Sequence, residues 1–578
     1  MAGTCEFVYE PEDDASVPCP HPAHDDTARC VFHLSPDRCE KLGITDNEVR
    51  DVFLAAVESD DPERKHFYGA TFEALDLSGL VIDSGDNQPI SFRDATVDHL
   101  DLGDSTVRQP LVLNYGKIGS LRAAGAVFER RVSCMWCSFS QPELDIRDTR
   151  AFSTLFSQDV SAQFGSASFH RQVDFRGATF EGGCGFARAK FDDEILFDRT
   201  TVNGDLDFSF ATIYEIDFKL LSATGTLSLD GATLINGGDF DGVIADTISC
   251  FNFEAQAPVM FANVTISSSS PIDFRESKFD NGIKFANQLE TSVLLLNLSS
   301  LRGDVNIDVW NECGSLEILL INSFIECGNL DQPDDGAVHY NLADATLGDV
   351  TLDLPTPDAF DRYLFHRTDF DGFPFVEYRD TLRTHRWKLH CYAREYECDT
   401  TDLELTYLKA KQGATAVGDS DDAAEFFIQE MRYRRRRYRE RMRNGELSVR
   451  ERVSSASRWF TNGFLAVVAG YGEKPQRVIG TGLAVVGTWS LLYPLPFVGG
   501  VSTGDGLYVY GTQSDLVAEL MTFAYNSLYF SVVTFTTLGY GDISPAGGLA
   551  RLLASTEAAS GVFLTALFVF TLGRRVIR

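Results

Sequence analysis

The sequence lacks the apolar run of a secretory signal peptide, since its opening "MAGTCEFVYEPEDD" is acidic and polar. It also lacks a disulfide framework, because its 12 cysteines are spread over 578 residues instead of being concentrated in a short domain. Both observations exclude a small, disulfide-stapled secreted protein. We expect a reducing cytoplasm around the N-terminal body.

Basic residues are scarce as well. The chain has 50 Lys and Arg against 84 Asp and Glu, a formal net charge of −34. Residues 425–578 carry 17 basic and 11 acidic residues, which leaves 33 against 73 in residues 1–424. Such an acidic body is typical of proteins from molar salt, where dense carboxylates stay hydrated and their repulsion is screened. We therefore expect a halophilic microbe as the source, with a mesophilic acidic protein as the alternative.

Two stretches are long and apolar enough to cross a bilayer, which takes about 20 residues. They are residues 478–498 and 552–572. Arginine clusters precede the first, at 431–443, and follow the second, at 573–578. This charge pattern predicts a multi-pass protein of the cell membrane, with the N-terminal body and the C-terminus in the cytoplasm. The segment between the two spans should then face outward.

That outward segment contains "MTFAYNSLYFSVVTFTTLGYGDISP". Its first part, residues 521–536, has helical periodicity but is too short to cross the membrane. A half-helix that ends inside a membrane is tolerated only where its end is buried or lines a polar cavity. Its C-terminal dipole favours a cation.

The glycines that follow suit a ring of backbone oxygens around a dehydrated cation. Gly539 and Gly541 permit the dihedral angles that point consecutive carbonyls the same way. Thr537 can add a hydroxyl, and Asp542 places a negative charge at the outer mouth. Leu538 and Tyr540 should point away from the pore and pack against the pore helices.

A similar stretch, "GYGE" at 470–473, follows Ala469 where a threonine would be needed. It also lies on the cytoplasmic side of the first span. The apolar run before it, residues 459–469, is too short to span. We expect an interfacial helix that ends in a Gly-rich turn.

The motif "TTLGYGD" between two spans resembles the signature of potassium channels. The resemblance implies a selectivity filter at 537–541, K⁺ as the permeant ion and four identical subunits around one axis. Leu538 stands where the family usually has Val, and a tryptophan common in the pore helix is replaced near Tyr529 and Phe530. No Arg-rich periodic helix precedes the pore, so we expect no voltage sensor. Six residues follow Leu572, too few for a C-terminal ligand-binding domain.

Two residues of the second span are candidates for further roles. Gly561 is either a gating hinge, as in the family, or a small residue that permits close helix packing. Glu557 is a charge at membrane depth. It either supports the filter from behind by hydrogen bonding or reaches the outer interface.

Residues from about 64 to 354 repeat with periods of five and eleven, as in "SASFHRQVDFRG" and "GATFEGGCGFAR". These units resemble pentapeptide-repeat proteins, which implies a right-handed quadrilateral β-helix of about thirteen coils. Residues 109–119 and 267–270 fit the pattern poorly, and loops are expected there. The repeats show no catalytic pattern, so we expect no enzyme. Their acidic surface leaves open a rival function, a membrane-anchored interaction protein that mimics DNA, although we expect no nucleic-acid partner.

Before the repeats, Cys5, Cys19, Cys30 and His33 are candidate ligands of a structural, tetrahedral Zn²⁺ site. The Cys30–His33 spacing suits one half of such a site, but the Cys5–Cys19 spacing is wider than a standard pair. His21, His24 and Cys39 are spare candidates. The alternative is a loop-rich segment with reduced cysteines.

The linker after the repeats is predicted to form helices over 375–397, 403–411 and 422–443, with Asp422 and Glu425 as a capping pair. The predicted architecture is therefore multidomain. Its segments are a Cys/His segment (1–62), the β-helix (63–354), the helical linker with its basic helix (355–470) and the two-span pore domain (471–578; spans about 478–498 and 551–573). The predicted function is potassium-selective conduction, with a weakly selective cation channel as the alternative.

Overall fold

The computed structural model forms two compact units, Met1–Tyr396 and Glu397–Arg578. The residues that it describes are 3–10, 16–25, 27–123, 125–130, 132–134, 137–139, 144–145, 150–151, 162–170, 172–180, 183–267, 270–311, 315–334, 336–390, 398–495, 497–498, 500–503, 506–508 and 516–577.

The first unit begins with a small head. Two short strands, β1 (Val8–Tyr9) and β2 (Val17–Pro18), pair antiparallel. A 3₁₀ turn (Val31–His33) follows, then helices α1 (Pro36–Leu42) and α2 (Asp46–Val57), and a second 3₁₀ turn (Pro62–Lys65). The two helices were not predicted. The start of α2 was readable, because Thr45 and Glu48 form a capping box.

A β-solenoid of parallel strands occupies most of the first unit, as the repeats predict. One face is a sheet of thirteen strands, which agrees with the expected number of coils. Its strands are Ile90–Ser91, Leu111–Val112, Val132–Ser133, Ala162–Gln163, Cys184–Gly185, Leu206–Asp207, Thr226–Ser228, Thr247–Ser249, Ile272–Asp273, Val293–Leu295, Ser315–Leu319, Ala337–Asn341 and Tyr363–Leu364.

The other faces merge into a sheet of 27 strands. They are Thr71–Asp76, Val81–Ile82, Thr96–Asp101, Thr106–Val107, Lys117–Arg122, Val127–Phe128, Ser138–Phe139, Leu144–Asp145, Arg150–Ala151, Ser168–Phe169, Val173–Asp174, Thr179–Phe180, Lys190–Leu196, Thr201–Val202, Thr212–Asp217, Ser222–Ala223, Thr233–Leu234, Gly238–Asp241, Ile244–Ala245, Glu254–Ala255, Val259–Ile266, Lys278–Phe279, Ile283–Glu290, Ser300–Trp310, Phe324–Leu330, Thr346–Leu352 and Asp369–Phe370.

The repeat produces this fold because each coil places the same residue types above those of the previous coil. Phe169 stacks on Phe191 with ring centroids 4.6 Å apart, and both rings are buried. At one corner of successive coils, Ser166, Arg188 and Phe210 adopt φ of 57°, 60° and 58°. This left-handed conformation is costly for residues with a Cβ. The amide N–H of each corner residue donates to a carbonyl of the next coil, which offsets the cost.

Two expectations about the solenoid are wrong. Residues 109–119 form no protruding loop, since two strands of the sheets lie there. The poor repeat match reflects a tight coil contact, because a Cβ on Gly119 would lie 2.2 Å from the Asp98 carbonyl oxygen. The coil that contains extra residues lies elsewhere in the solenoid. Ser133 and its partner Gln163 in the next coil are farther apart along the chain than Leu206 and its partner Leu227. Of the expected loop at 267–270, residues 268–269 lie outside the described residues.

The second error concerns the end of the solenoid, which does not stop at residue 354. Tyr363–Leu364 and Asp369–Phe370 add to the two sheets. The buried rings of Tyr340 and Tyr363 stack at 4.9 Å, so the core continues beyond the recognisable repeat.

The predicted helix over 375–397 is also wrong. A 3₁₀ turn (Phe375–Tyr378) leads into the short helix α3 (Arg379–Thr384). Arg386 and Trp387 then adopt φ of 55° and 61°, which ends any helix. Residues 391–397 lie outside the described residues.

The second unit begins with the helical hairpin α4 (Thr400–Ala416) and α5 (Ser420–Arg443). The cap of α5 is Asp419, whose carboxylate accepts the Asp422 N–H, so the predicted Asp422–Glu425 pair is not the cap. Partly buried ion pairs join the two helices: Arg434 of α5 contacts Glu404 of α4 at 2.7 Å, and Lys411 of α4 contacts Glu430 of α5 at 2.7 Å. Part of the arginine cluster is therefore used for internal pairing.

The remaining helices are α6 (Val449–Ala469), α7 (Pro475–Leu492), α8 (Leu516–Phe535) and α9 (Gly548–Ile577). A three-stranded sheet joins Val501–Thr503 to Gly506–Tyr508 and to Ile543–Pro545. Helix α7 ends six residues before the end of the apolar stretch 478–498, next to Pro494, which has no backbone N–H to continue the helix. Among the described residues, Gly548–Arg574 is the helix whose length and hydropathy suffice for a membrane span.

The solenoid predicts one pH-dependent stability change. Burial, and then the charges of Asp308 and Asp353, raise the pKa of Asp331 to about 6. A raised carboxyl pKa means that the folded state binds the Asp331 proton more tightly than the unfolded state does. The protonated carboxyl therefore stabilises the folded state below pH ~4, and this stabilisation is lost as the pH rises through about 6. At pH 7.5, Asp331→Asn should raise the melting temperature of the full-length protein by roughly 2 °C, and at pH 4 it should change it little.

Asp349→Asn is the matched control, since Asp349 is exposed in a neighbouring strand. Scanning calorimetry at both pH values measures the effect. An Asp331→Asn variant that is no more stable than wild type at pH 7.5 would show that the buried charge carries no cost.

Candidate functional site

The stretch "TLGYG" begins where helix α8 ends. The Leu538 N–H donates to the Val533 carbonyl at 3.0 Å, and the Thr537 N–H donates to the Thr534 carbonyl at 3.1 Å. These two bonds form a Schellman motif, whose left-handed position is normally glycine. Here it is Thr537, with φ of 56°. A β-branched residue in this conformation is strained, and such strain is found at functional sites.

The backbone then alternates in handedness. Thr537, Gly539 and Gly541 have φ of 56°, 56° and 81°, whereas Leu538 and Tyr540 do not have positive φ. Where φ alternates in sign, successive N–H groups can lie on one side of the chain and the carbonyls on the other. The stretch can therefore present a row of carbonyl oxygens, as the sequence predicts for a cation site.

The similar "GYGE" stretch has a different backbone. Gly470, Tyr471 and Gly472 all have positive φ, at 55°, 63° and 87°. Gly470 caps α6, and the chain turns there into α7. The Tyr471 hydroxyl donates to the Asn462 side-chain oxygen of α6 at 3.0 Å, which holds the turn against that helix. This is the Gly-rich turn predicted from the sequence, although α6 starts ten residues earlier than the expected helix.

The outer side of "TLGYG" is held by the three-stranded sheet. Asp542 directly precedes the strand Ile543–Pro545, which pairs with Val501–Thr503. The Asp542 carboxylate also lies close to the hydroxyl of Tyr529 in α8. The tyrosine thus supplies a polar contact at the place where the related pore helices carry tryptophan. Sequence reasoning missed this contact, although the pairing of a phenol with the motif's carboxylate could have suggested it.

Behind "TLGYG", Glu557 of α9 is fully buried. Its carboxylate accepts the hydroxyl of Tyr493 at 2.6 Å and the hydroxyl of Ser531 in α8. The Ser531 oxygen also lies 2.9 Å from the Val486 carbonyl of α7. One carboxylate therefore ties α9 to α8 and to the end of α7, and it does not lie at a surface. A single charge in an apolar run requires polar partners. The position of Glu557 in the sequence therefore indicated that polar side chains lie next to it, and the structure shows that these are Tyr493 and Ser531.

Gly561 lies where α9 crosses the end of α8. A Cβ at this position would lie 1.9 Å from the Phe535 carbonyl oxygen. The crossing therefore requires glycine, which supports the close-packing interpretation; a hinge at Gly561 stays a prediction.

Two side chains of the stretch are largely exposed within one chain. Leu538 is 58% exposed and Tyr540 is 67% exposed. The expected packing of these side chains against pore helices is thus not made within a subunit, and packing against a neighbouring subunit stays a prediction. The Thr537 hydroxyl donates to the Thr536 carbonyl at 2.7 Å.

The four predicted metal ligands form a separate site, which lies in the first unit. Cys5, Cys19, Cys30 and His33 are all buried, and their ligand atoms lie within 4.8 Å of one another. The spare candidates are not part of this group: His21 bonds to the His66 carbonyl, His24 to the Asp25 carbonyl, and Cys39 lies in α1.

Comparison with known proteins agrees with both units. The profile of a family described as "Ion channel" matches residues 504–578, and a profile described as "Pentapeptide repeats" matches residues 164–212. A curated relative, two pore potassium channel b of rice (Oryza sativa subsp. japonica), is 48% identical over 48 residues. That match covers 8% of this chain and 14% of the relative. No solved structure matches. The chain thus joins an ion-channel domain to a pentapeptide-repeat solenoid.

The close crossing at Gly561 predicts a difference between two glycines of α9. Replacing helical Gly with Ala normally gains up to about 1 kcal/mol. Gly573→Ala should follow this rule, because nothing lies within 4 Å of its Cβ. Gly561→Ala should instead destabilise the protein by roughly 1–3 kcal/mol, since the helices must move apart.

Thermal unfolding of the full-length protein in detergent measures both variants. Equal stability of Gly561→Ala and Gly573→Ala would contradict the close-packing account, and an altered open probability at unchanged stability would favour the hinge.

Proposed function

We propose that the chain is one subunit of a potassium-selective channel that forms a homotetramer in the cell membrane. The observation that carries this proposal is the alternating sign of φ along residues 537–541, which would allow the carbonyl oxygens to lie along one side. A ring of four such strands would replace the hydration shell of K⁺. The match to the "Ion channel" profile and the printed name of the rice relative support the choice of ion.

The exposed side chains support assembly. Leu538 and Tyr540 carry large apolar surfaces next to the carbonyl row. The outward face of α8 is exposed as well, at Tyr525, Leu528 and Val532. In a four-fold arrangement, the side chains of one subunit would pack against α8 of the next and fix the width of the ring. Burial of this surface would offset the strain at Thr537.

Charge placement supports two spans with both ends in the cytoplasm. Helix α7 begins beside Lys474 and Arg477, and α9 ends beside Arg574. Basic residues at these two ends favour the cytoplasmic side. The 18 residues of α7 span about 27 Å, close to the apolar thickness of a bilayer. The three-stranded sheet and Asp542 would then face outward, and the Asp542 carboxylates of the subunits would attract cations there.

The contacts around Phe427 support a regulatory role for the helical hairpin. The Phe427 ring lies between two cations, Lys411 of α4 at 5.4 Å and Arg574 of α9 at 5.2 Å. Arg574 also pairs with Glu473 at 3.1 Å. The cytoplasmic end of α9 is thus held by α5 and by the turn before α7. A force on the hairpin, which directly follows the solenoid in the chain, would reach the helix that lines the pore.

Ion selectivity is tested by reversal potentials of the full-length protein in planar bilayers with K⁺ on one side and Na⁺ on the other. We expect a reversal potential near that of K⁺. Gly539→Ala should abolish selective current, because an alanine is strained at φ of 56°, whereas Gly548→Ala should not, since φ there is not positive. A Cβ at either glycine meets nothing within 4 Å, so the pair isolates the backbone effect.

Equal K⁺ and Na⁺ permeability would contradict selectivity and favour a weakly selective cation channel. Reconstituted protein that passes no ions, while its acidic body captures a basic partner, would favour an anchored interaction protein.

The regulatory role is tested by Phe427→Ala. Removing the ring releases Arg574 from α5, so the single-channel open probability should change at least several-fold while the reversal potential stays the same. Phe460→Ala is the matched control, because this phenylalanine of α6 is exposed. If both variants gate like wild type, α5 does not act on α9 through this contact.

A further inference from the structure

The head of the solenoid contains a buried side-chain group that conduction does not use. The members are Cys5, Cys19, Cys30 and His33. Buried polar atoms that converge in this way need a common partner or a network of hydrogen bonds. The distances between their ligand atoms identify the partner.

Three separations between the ligand atoms are close to the edge lengths of a tetrahedral site. Cys19 Sγ lies 3.7 Å from Cys30 Sγ, and Cys5 Sγ lies 3.8 Å from His33 Nδ1. Cys30 Sγ lies 3.2 Å from His33 Nδ1. In a tetrahedron with Zn–S of about 2.3 Å and Zn–N of about 2.0 Å, neighbouring ligand atoms are roughly 3.5–3.8 Å apart. The Cys19–Cys30 separation is too long for a disulfide, whose sulfurs are about 2.05 Å apart.

Strand pairing explains how the wide Cys5–Cys19 spacing closes. The Cys5 N–H donates to the His21 carbonyl at 3.1 Å, and the Cys19 N–H donates to the Phe7 carbonyl at 2.9 Å. These bonds extend the β1–β2 ladder past the start of β1 and the end of β2, so two cysteines 14 positions apart become neighbours. The other two ligands flank the 3₁₀ turn Val31–His33, where the His33 N–H donates to the Cys30 carbonyl.

The surroundings orient the ligands for a metal. His33 Nε2 lies 2.9 Å from the Tyr68 carbonyl, which accepts only if Nε2 carries the proton. The lone pair of Nδ1 is then directed at the cysteines, as in metal sites whose histidine is fixed by a backbone carbonyl. The Cys30 N–H donates to Cys5 Sγ at 3.2 Å, and Phe7 stacks on the His33 ring at 3.7 Å.

The same group holds the head on the first coil. Tyr68, which accepts the His33 bond, lies just before the first strand of the solenoid. Phe32, between two ligands, is fully buried and packs edge-on against Phe67 at 5.1 Å. His21 Nε2 lies 3.0 Å from the His66 carbonyl. The end of a solenoid exposes unpaired strand edges, and terminal caps are needed to cover them.

We propose that Cys5, Cys19, Cys30 and His33 bind one structural Zn²⁺ ion that fixes the N-terminal head as the cap of the β-solenoid. Three thiolates and one imidazole suit Zn²⁺, and four protein ligands leave no open position for catalysis. The zinc-bound cap does not depend on the pore. An experiment can therefore contradict the zinc site without contradicting the channel, and the reverse.

The test uses the full-length protein, purified without added chelator. Elemental analysis should give one zinc per chain, and X-ray absorption should show three sulfur and one nitrogen neighbour. Cys30→Ser should lose at least nine-tenths of the metal. Cys39→Ser, a cysteine of α1 outside the cluster, should keep it. His33→Cys should keep it as well, since four thiolates also form a tetrahedral site.

A second readout separates metal binding from a merely buried cluster. A strong zinc chelator should speed amide hydrogen exchange at residues 4–9, 17–22 and 66–72 by at least tenfold, and leave residues 200–250 unchanged. Added Zn²⁺ should reverse the effect. A wild-type chain that binds no Zn²⁺ even when it is added, or a Cys19–Cys30 disulfide in the purified protein, would overturn the proposal. Full metal retention by both Cys30→Ser and Cys19→Ser would do the same.

Discussion

The proposed filter depends on one constraint: consecutive carbonyls of a short strand must lie on the same side. In this stretch every second residue has positive φ, which is easy for Gly539 and Gly541 and costly for Thr537. The surrounding contacts hold this strained backbone. The Schellman bonds fix its start, the sheet with Asp542 and Tyr529 fixes its end, and Glu557 joins the three helices behind it.

The solenoid uses the same conformation for another purpose. Its left-handed corners recur twice per coil, and corner residues such as Arg199 and Phe210 donate their N–H to the next coil. Stacked parallel strands then bury columns of phenylalanine, which stabilises a long body from short repeats. Such a stack leaves its first edge open, and the head closes it with Phe32 and the carbonyl contacts of His21 and His33. The two units thus solve separate backbone problems within one chain.

Much of this was readable from local sequence. The motif at 537–541, the repeats, and the set Cys5, Cys19, Cys30 and His33 were all named from residue types and spacing, and the structure brings these four together. Errors arose where tertiary contacts override local pattern. The stretch 109–119 looked irregular because Gly119 serves a coil contact, and the helix expected over 375–397 is ended by the turn at Arg386 and Trp387. The partners of Glu557 were not predictable individually, since Ser531 and Tyr493 lie 26 and 64 residues away.

The central claim is that residues 537–541 of four chains form one ring of carbonyl oxygens that binds dehydrated K⁺. Structure determination of the membrane-embedded protein in KCl, repeated in NaCl, tests it most directly. The account predicts four-fold symmetry, with ion density on the axis between successive carbonyl layers in K⁺ and a changed or collapsed stretch in Na⁺. A protein without that axis, or carbonyls that point away from it in both salts, would contradict the account.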